Sequence, residues 1–141
     1  MVGASPDILK VEIAERRHDC ISQSAVLDGE IVCLDSEGRS YFADLFYRRQ
    51  EPIFVAFDLL AVGGRDLRAQ TLLQRKQELR RALRSQPTSV LYCDHIERTG
   101  CNLFRLACEH DLEGIVAKWK HGRYIAGREE TTWLKIRNPQ L

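Results

Sequence analysis

Ile53-Phe-Val-Ala-Phe-Asp-Leu-Leu60 is the stretch that decides the fold. Aromatic and aliphatic residues run through it almost unbroken, and Gly63-Gly64 follows, which is the signature of a buried strand ended by a turn. Upstream, Ala25 to Leu34 has the same character, rich in Val, Leu and Ile. Ser36-Glu37-Gly38-Arg39 reads as a turn, with a hairpin returning through Ser40 to Phe42, and Asp44 to Arg49 as a helical turn. The Ser-Pro pair before Asp7 starts a short helix reaching about Cys20. Downstream, apolar residues at 72, 73, 79 and 83 predict an amphipathic helix from Thr71 to Leu83, with Arg75, Arg80, Arg81 and Arg84 on its outer face. Ser89 to Ile96 predicts a strand and Gly100 to His110 a helix stopped by Asp111. Gly114 to Trp119 and Thr131 to Arg137 are the last two strands. Strands and helices mix without regular β-α-β alternation, so the fold class is α+β, with largely antiparallel sheets and flanking helices.

With 141 residues, 44% hydrophobic and 29% charged, the chain can bury a core without disulfides or a structural metal. A net charge of +1 means that any nucleic-acid surface must come from local clustering. The five cysteines include no C-x-x-C pair and read as reduced thiols of a cytoplasmic protein, with Cys33, Cys93 and Cys108 as small core residues. No apolar run approaches the roughly 20 residues needed to cross a bilayer, so no membrane partner is expected. The N-terminus lacks the pattern of a secretory signal.

Four short segments carry possible chemistry. In Asp28-Gly29-Glu30, strand alternation puts two carboxylates on one face of an otherwise apolar strand, and Gly29 lets another backbone or a ligand approach. Buried acids are costly unless paired or bound, although exposed acids at a strand end are an equally good reading of these residues alone. Phe57 shares a strand face with Val55 and Leu59 and could offer its ring to a flat base, whereas Phe54 reads as core. Glu113-Gly-Ile-Val-Ala-Lys118 sets an acid, a glycine and an apolar run before a lysine. Simple alternation puts Lys118 across the strand from Glu113, so both reach one site only if the strand bends or bulges. In Trp133-Leu-Lys-Ile-Arg137, Lys135 and Arg137 fall about 7 Å apart on one face, where they could hold a polyphosphate or simply be solvated.

The order of these segments is specific. Asp28-Gly29-Glu30, Phe57-Asp58-Leu59, Glu113-Gly114-Ile115 and Trp133-Leu134-Lys135 resemble the successive nucleotidyltransferase motifs of ATP-dependent DNA ligases, especially the bacterial repair type. Gly64-Arg-Asp-Leu67 and Tyr124-Ile-Ala-Gly-Arg128 resemble the family's connecting text. The resemblance runs from about residue 25 to the end and implies a partial, ATP-grasp-like ligase adenylation domain over residues 25–141. Residues 1–24 are expected to be a variable segment standing where the nucleophile-bearing part would be.

The family seals DNA nicks in repair and recombination through lysyl-AMP and DNA-adenylate intermediates. The resemblance implies ATP with Mg2+ or Mn2+, and nicked double-stranded DNA as partner. Carried over by position, Glu30 would bind the ribose and Phe57 would stack on adenine. Glu113 with Glu30 would hold the metal, and Lys118, Lys135 and Arg137 would contact the phosphates, leaving Glu113 and Lys135 as the catalytic pair. Arg137 stands where the family often has lysine. The family's adenylylated lysine lies in a K-x-D-G segment, but the only Asp-Gly here is Asp28-Gly29, preceded two residues earlier by Val26. Lys10-Val-Glu-Ile13 lacks both the Asp and the Gly. The family's C-terminal OB-fold is also not in this sequence. The expectation is a ligase-family chain that does not self-adenylylate and binds DNA weakly. The other readings are one half of a split ligase, with a partner chain supplying the lysine, and a non-catalytic nucleotide- or DNA-binding module.

Overall fold

The computed structural model describes residues 11–12, 24–36, 51–84, 89–125 and 132–141. The central pair of strands is β2 (Ala25–Val32) and β3 (Ile53–Val62), antiparallel over their whole length. Strand β1 (Val11–Glu12) adds to the outer edge of β2, with Val11 opposite Leu27. Strand β4 (Arg65–Asp66) folds back on β3 through the turn predicted at Gly63-Gly64. Both glycines have positive φ, 55° and 77°, the geometry that a two-residue hairpin turn requires. Strand β5 (Val90–Tyr92) completes this five-stranded sheet by pairing parallel to β3, Phe54 opposite Val90. A separate two-stranded antiparallel sheet joins β6 (Gly114–Lys118) to β7 (Trp133–Arg137). The class is α+β as expected, with one parallel pair among antiparallel ones.

Two expectations need correction. Val11–Glu12 is strand, not part of a helix from Pro6 to Cys20; Val-Glu-Ile alternation and a β2 edge offering backbone partners favour the extended form. The rest of that segment, the turn and hairpin through Phe42, the helical turn at Asp44 to Arg49, and Ala126 to Arg128 lie outside the described residues. The second correction concerns helix α1 (Leu72–Ala82). Its start is set by a capping box, in which the Thr71 hydroxyl accepts from the Gln74 amide and the Gln74 side chain accepts from the Thr71 amide. Arg75 is not on the outer face: it is completely buried, as is Lys76.

Arg75 forms a two-pronged ion pair with Asp58 of β3, with Nε and Nη2 each 2.8 Å from a carboxylate oxygen. Its remaining Nη1 donates to the carbonyls of Gln70, at 2.7 Å, and Gly122, at 3.3 Å. Lys76 donates to the Cys93 carbonyl at 2.7 Å and stands over the Tyr92 ring. These cations are tolerated because nearly every donor has an acceptor. Around them the core joins Leu79 of α1 to Leu27, Phe54, Ala56, Leu59, Val62 and Leu67. Helix α2 (Gly100–Glu109) packs on β6 through its buried Ala107. Cys33 is buried as expected, Cys93 and Cys108 are half-buried, and Cys101 is exposed.

Gly29 carries the register of the β2–β3 pair. A Cβ there would collide with the Val55 carbonyl and with the Phe54 ring, so only glycine lets β3 and the Phe54 side chain come this close to β2. No helix among the described residues is long and apolar enough to cross a membrane.

Removing the Arg75 guanidinium strands the Asp58 carboxylate in the interior. Arg75→Ala is expected to destabilise the chain by about 3–5 kcal/mol, read as a drop in urea midpoint. Arg80→Ala, at an exposed position of the same helix, is expected to leave the midpoint within error.

Candidate nucleotide-binding site

The site forms where the β6–β7 sheet meets the five-stranded sheet. Register partners in an antiparallel pair share a face, so Lys118 lies beside Trp133 and Val116 beside Lys135 on one face of the small sheet. Ala117 and Leu134 occupy the opposite face, and both are exposed. The first face meets β2 and β3. Phe57 packs edge-on against Trp133, with centroids 5.8 Å apart and planes at 75°, and Tyr124 packs likewise on Trp133 at 6.3 Å. The Lys118 ammonium stands over both rings, 4.0 Å from the Phe57 centroid and 3.2 Å from that of Trp133. The Tyr124 hydroxyl donates to Asp28 Oδ2 at 3.3 Å.

The loop joining β6 to β7 is held by backbone bonds. Leu72 and Leu73, whose amides no helical turn can satisfy, donate to the carbonyls of Gly122 and Lys120. The β6–β7 loop thereby caps α1, and Arg75 ties the same Gly122 carbonyl to Asp58.

Glu30, Glu113 and Lys135 make a second cluster. Lys135 Nζ is 3.8 Å from Glu113 Oε2. Burial pushes the Glu30 carboxyl above its ordinary range, and the Glu113 charge pushes it further, while Lys135 pulls it back. Glu113 and Lys118 therefore serve neighbouring parts of one surface, although strict alternation sets them on opposite sides. Glu113 lies just ahead of β6, and Gly114, at φ 139°, breaks the alternation there. A Cβ on Gly114 would strike the Ile136 carbonyl, so only glycine allows this close turn. Arg137 is exposed opposite Gly114, at the end of the strand remote from Trp133.

Burial shifts the ionisable groups of this cluster, and the attraction between acid and lysine opposes it. Burial raises the Asp28 carboxyl, Lys118 lowers it and Asp58 raises it again. Burial brings the Lys118 ammonium down to about 7, against the upward pull of Asp58 and Asp28. Tyr124 is pushed up to about 12, by burial and then by the Asp28 charge. Among the described residues no group of three or more His, Cys, Asp or Glu side chains could hold a metal. Two neighbouring carboxylates, Glu30 and Glu113, are the available hard-oxygen donors, and a pair suffices for Mg2+ when phosphate oxygens complete the shell.

Residues 2–137 match the model of the ATP dependent DNA ligase domain. The chain belongs to the ATP-dependent DNA ligase family. The chain is 35% identical over 121 residues to the multifunctional non-homologous end joining DNA repair protein LigD of Mycobacterium tuberculosis, covering 83% of this chain and 15% of that protein. It is 30% identical over 139 residues to the bifunctional non-homologous end joining protein LigD of Bacillus subtilis, covering 79% of this chain and 22% of that one. The crystal structure of the ligase domain from M. tuberculosis LigD superposes with a TM-score of 0.69 at 32% identity, over 82% of this chain and 38% of that one. The mycobacterial DNA ligase D complexed with ATP and MES gives 0.70 at the same identity and coverage. The fold is thus part of a ligase nucleotidyltransferase domain, and this chain spans well under half of the proteins it matches. The family match begins at residue 2, reaching into the segment that the motifs leave out.

Of the residues singled out from the ligase motifs, the structure brings Phe57 and Lys118 together, and separately Glu30, Glu113 and Lys135. Motif reading assigned no role to Trp133 and Tyr124, which build the aromatic wall. Trp133 was accessible to it, since period-two alternation sets it on the face of Lys135. Nothing local points Tyr124 at Asp28, 96 residues away.

The raised Asp28 carboxyl has a definite sign in stability. Between the unfolded value and the higher folded one the folded chain binds more protons, so stability falls as pH rises through that window. Asp28→Asn is expected to remove that part of the pH dependence and to match or exceed wild-type stability near pH 7, measured by urea unfolding from about pH 4 to 7.

Proposed function

We propose that this chain supplies the nucleotide-binding half of a ligase active site, holding ATP in the cleft between β2–β3 and β6–β7. The observation that carries the reading is that Phe57 of β3 meets Lys118 of β6, while Glu30 of β2 lies near the Glu113–Lys135 pair of the small sheet. In this reading Phe57 stacks on adenine, since a base needs only an open π-face. Glu30 accepts from the ribose hydroxyls. Lys118, Lys135 and Arg137 offset the phosphate charge, Lys as a mobile point charge and Arg as a fixed fork. Glu30 and Glu113 would hold Mg2+ or Mn2+, which when bound further neutralises the phosphates. Phosphoryl-type transfer depends on placement and charge neutralisation, and these residues provide both.

The relatives' names place them in end joining and DNA repair, and nicked or broken double-stranded DNA in the cytoplasm is the substrate proposed for the assembled enzyme. The 141 residues contain no K-x-D-G segment, and an unplaced surface lysine cannot substitute for a positioned nucleophile. We therefore assign adenylylation and sealing to the assembled enzyme, with the lysine-bearing segment supplied by a longer form of this chain or by a partner chain.

Incubation with α-labelled ATP and magnesium is expected to leave no covalent label on this chain in a denaturing gel. Calorimetry is expected to show reversible ATP binding, weakened about tenfold or more by Glu30→Ala or Phe57→Ala, in line with about 1–3 kcal/mol for a base stack. Covalent label on the 141-residue chain would overturn the assignment of the nucleophile elsewhere. Binding indifferent to both substitutions would overturn the site.

A further inference from the structure

One face of the half-buried Phe57 ring, which the nucleotide reading gives to adenine, is already occupied. Lys118 Nζ lies 4.0 Å from its centroid, about the distance at which a stacked base would sit, and 3.2 Å from the Trp133 centroid. Trp133 and Tyr124 close the slot from the side, each edge-on to its neighbour. A base and this ammonium cannot share the Phe57 face. The groups facing the ammonium are Asp28 from β2, Asp58 from β3, Lys76 from α1 and Cys93 after β5. Both carboxylates are already engaged, Asp58 by Arg75 and Asp28 by Tyr124. Lys118 therefore rests on the rings without a hydrogen-bonded ion pair of its own among the described residues.

We propose that Lys118 is the resident of the base slot, that nucleotide enters by displacing it towards the phosphates, and that this exchange takes a proton from solvent. The proposal rests on the nucleotide-binding reading and adds an order of events to it. In the slot, burial holds the Lys118 ammonium down to about 7. Beside phosphate oxygens a lysine is in or above its ordinary range, near 10.4. At about pH 8 the resident side chain is mostly neutral amine and the displaced one is ammonium, so binding takes up close to one proton. By linkage, affinity falls as pH rises above about 7, by at most tenfold per pH unit, and is flat well below that value.

Two measurements test this separately. The first titrates the full chain with ATP at about pH 8 in two buffers of different ionisation heat. The expected result is a buffer-dependent heat equal to uptake of nearly one proton, abolished in Lys118→Met, together with the fall in affinity above pH 7. Binding without uptake, or uptake that survives Lys118→Met, would overturn displacement. The second uses no nucleotide. The chain has two tryptophans, and Trp119 lies edge-on to His121, so the fluorescence of Trp133 is followed against pH in a Trp119→Phe background. An inflection near pH 7, missing when Lys118→Met is added, is expected. A flat profile would overturn the resident position whether or not the chain binds ATP. Failure of ATP to bind at all, with the inflection present, would instead count against the nucleotide-binding reading alone.

Discussion

Arg75 reaches from helix α1 into the interior and there satisfies three parts of the chain at once: the Asp58 carboxylate on β3, the Gln70 carbonyl ahead of the helix, and the Gly122 carbonyl in the β6–β7 loop. A guanidinium has five donors in a rigid plane, and this one spends them on a β3 carboxylate and two loop carbonyls. The guanidinium thereby ties β3, the start of the helix and the β6–β7 loop together, beside the Phe57–Trp133 ring contact between the two sheets. Breaking such a pair leaves an uncompensated buried charge, which is why the cost of losing one partner exceeds the net worth of the pair.

The cleft inherits its electrostatics from that frame. Carboxylates come from β2 and the residue ahead of β6, lysines from the last position of β6 and the middle of β7, and the Phe57 and Trp133 rings lie under Lys118. Asp28 and Glu30 are held above the usual carboxylate range by burial, while Lys118 is held below the usual lysine range by the same cause.

The strands and helices were legible because their signals are local. Ile53 to Leu60 is a short apolar run rich in aromatic and β-branched residues and bounded by Gly63-Gly64, and Leu134-Lys-Ile-Arg137 alternates apolar with charged residues. Strand pairing was not legible: the parallel β3–β5 contact joins residues some 36 positions apart, Phe54 and Val90, and no short window reports it. Arg75 was misplaced for a different reason. The spacing 72, 75, 76, 79, 83 is a helical core stripe, but charge type argued against burial until Asp58 was seen opposite it. The motif order singled out Glu30, Phe57, Glu113, Lys118 and Lys135, but not the positive φ of Gly114, which breaks the alternation between Glu113 and Lys118.

The Arg75 hub also bears on how this protein is free to change over generations. Asp58 and Arg75 cannot drift singly, because each intermediate passes through a stranded charge, and the backbone at Gly122 must stay where the guanidinium can reach it. Gly122 itself has Thr132 so close that an added methyl would force the neighbour to move. Substitutions at these positions are thus permitted only in concert, whereas the exposed Ala117, Leu134 and Trp119 on the outer side of the small sheet carry no such restriction. Variation among chains of this kind should accumulate on that outer side and leave the hub untouched.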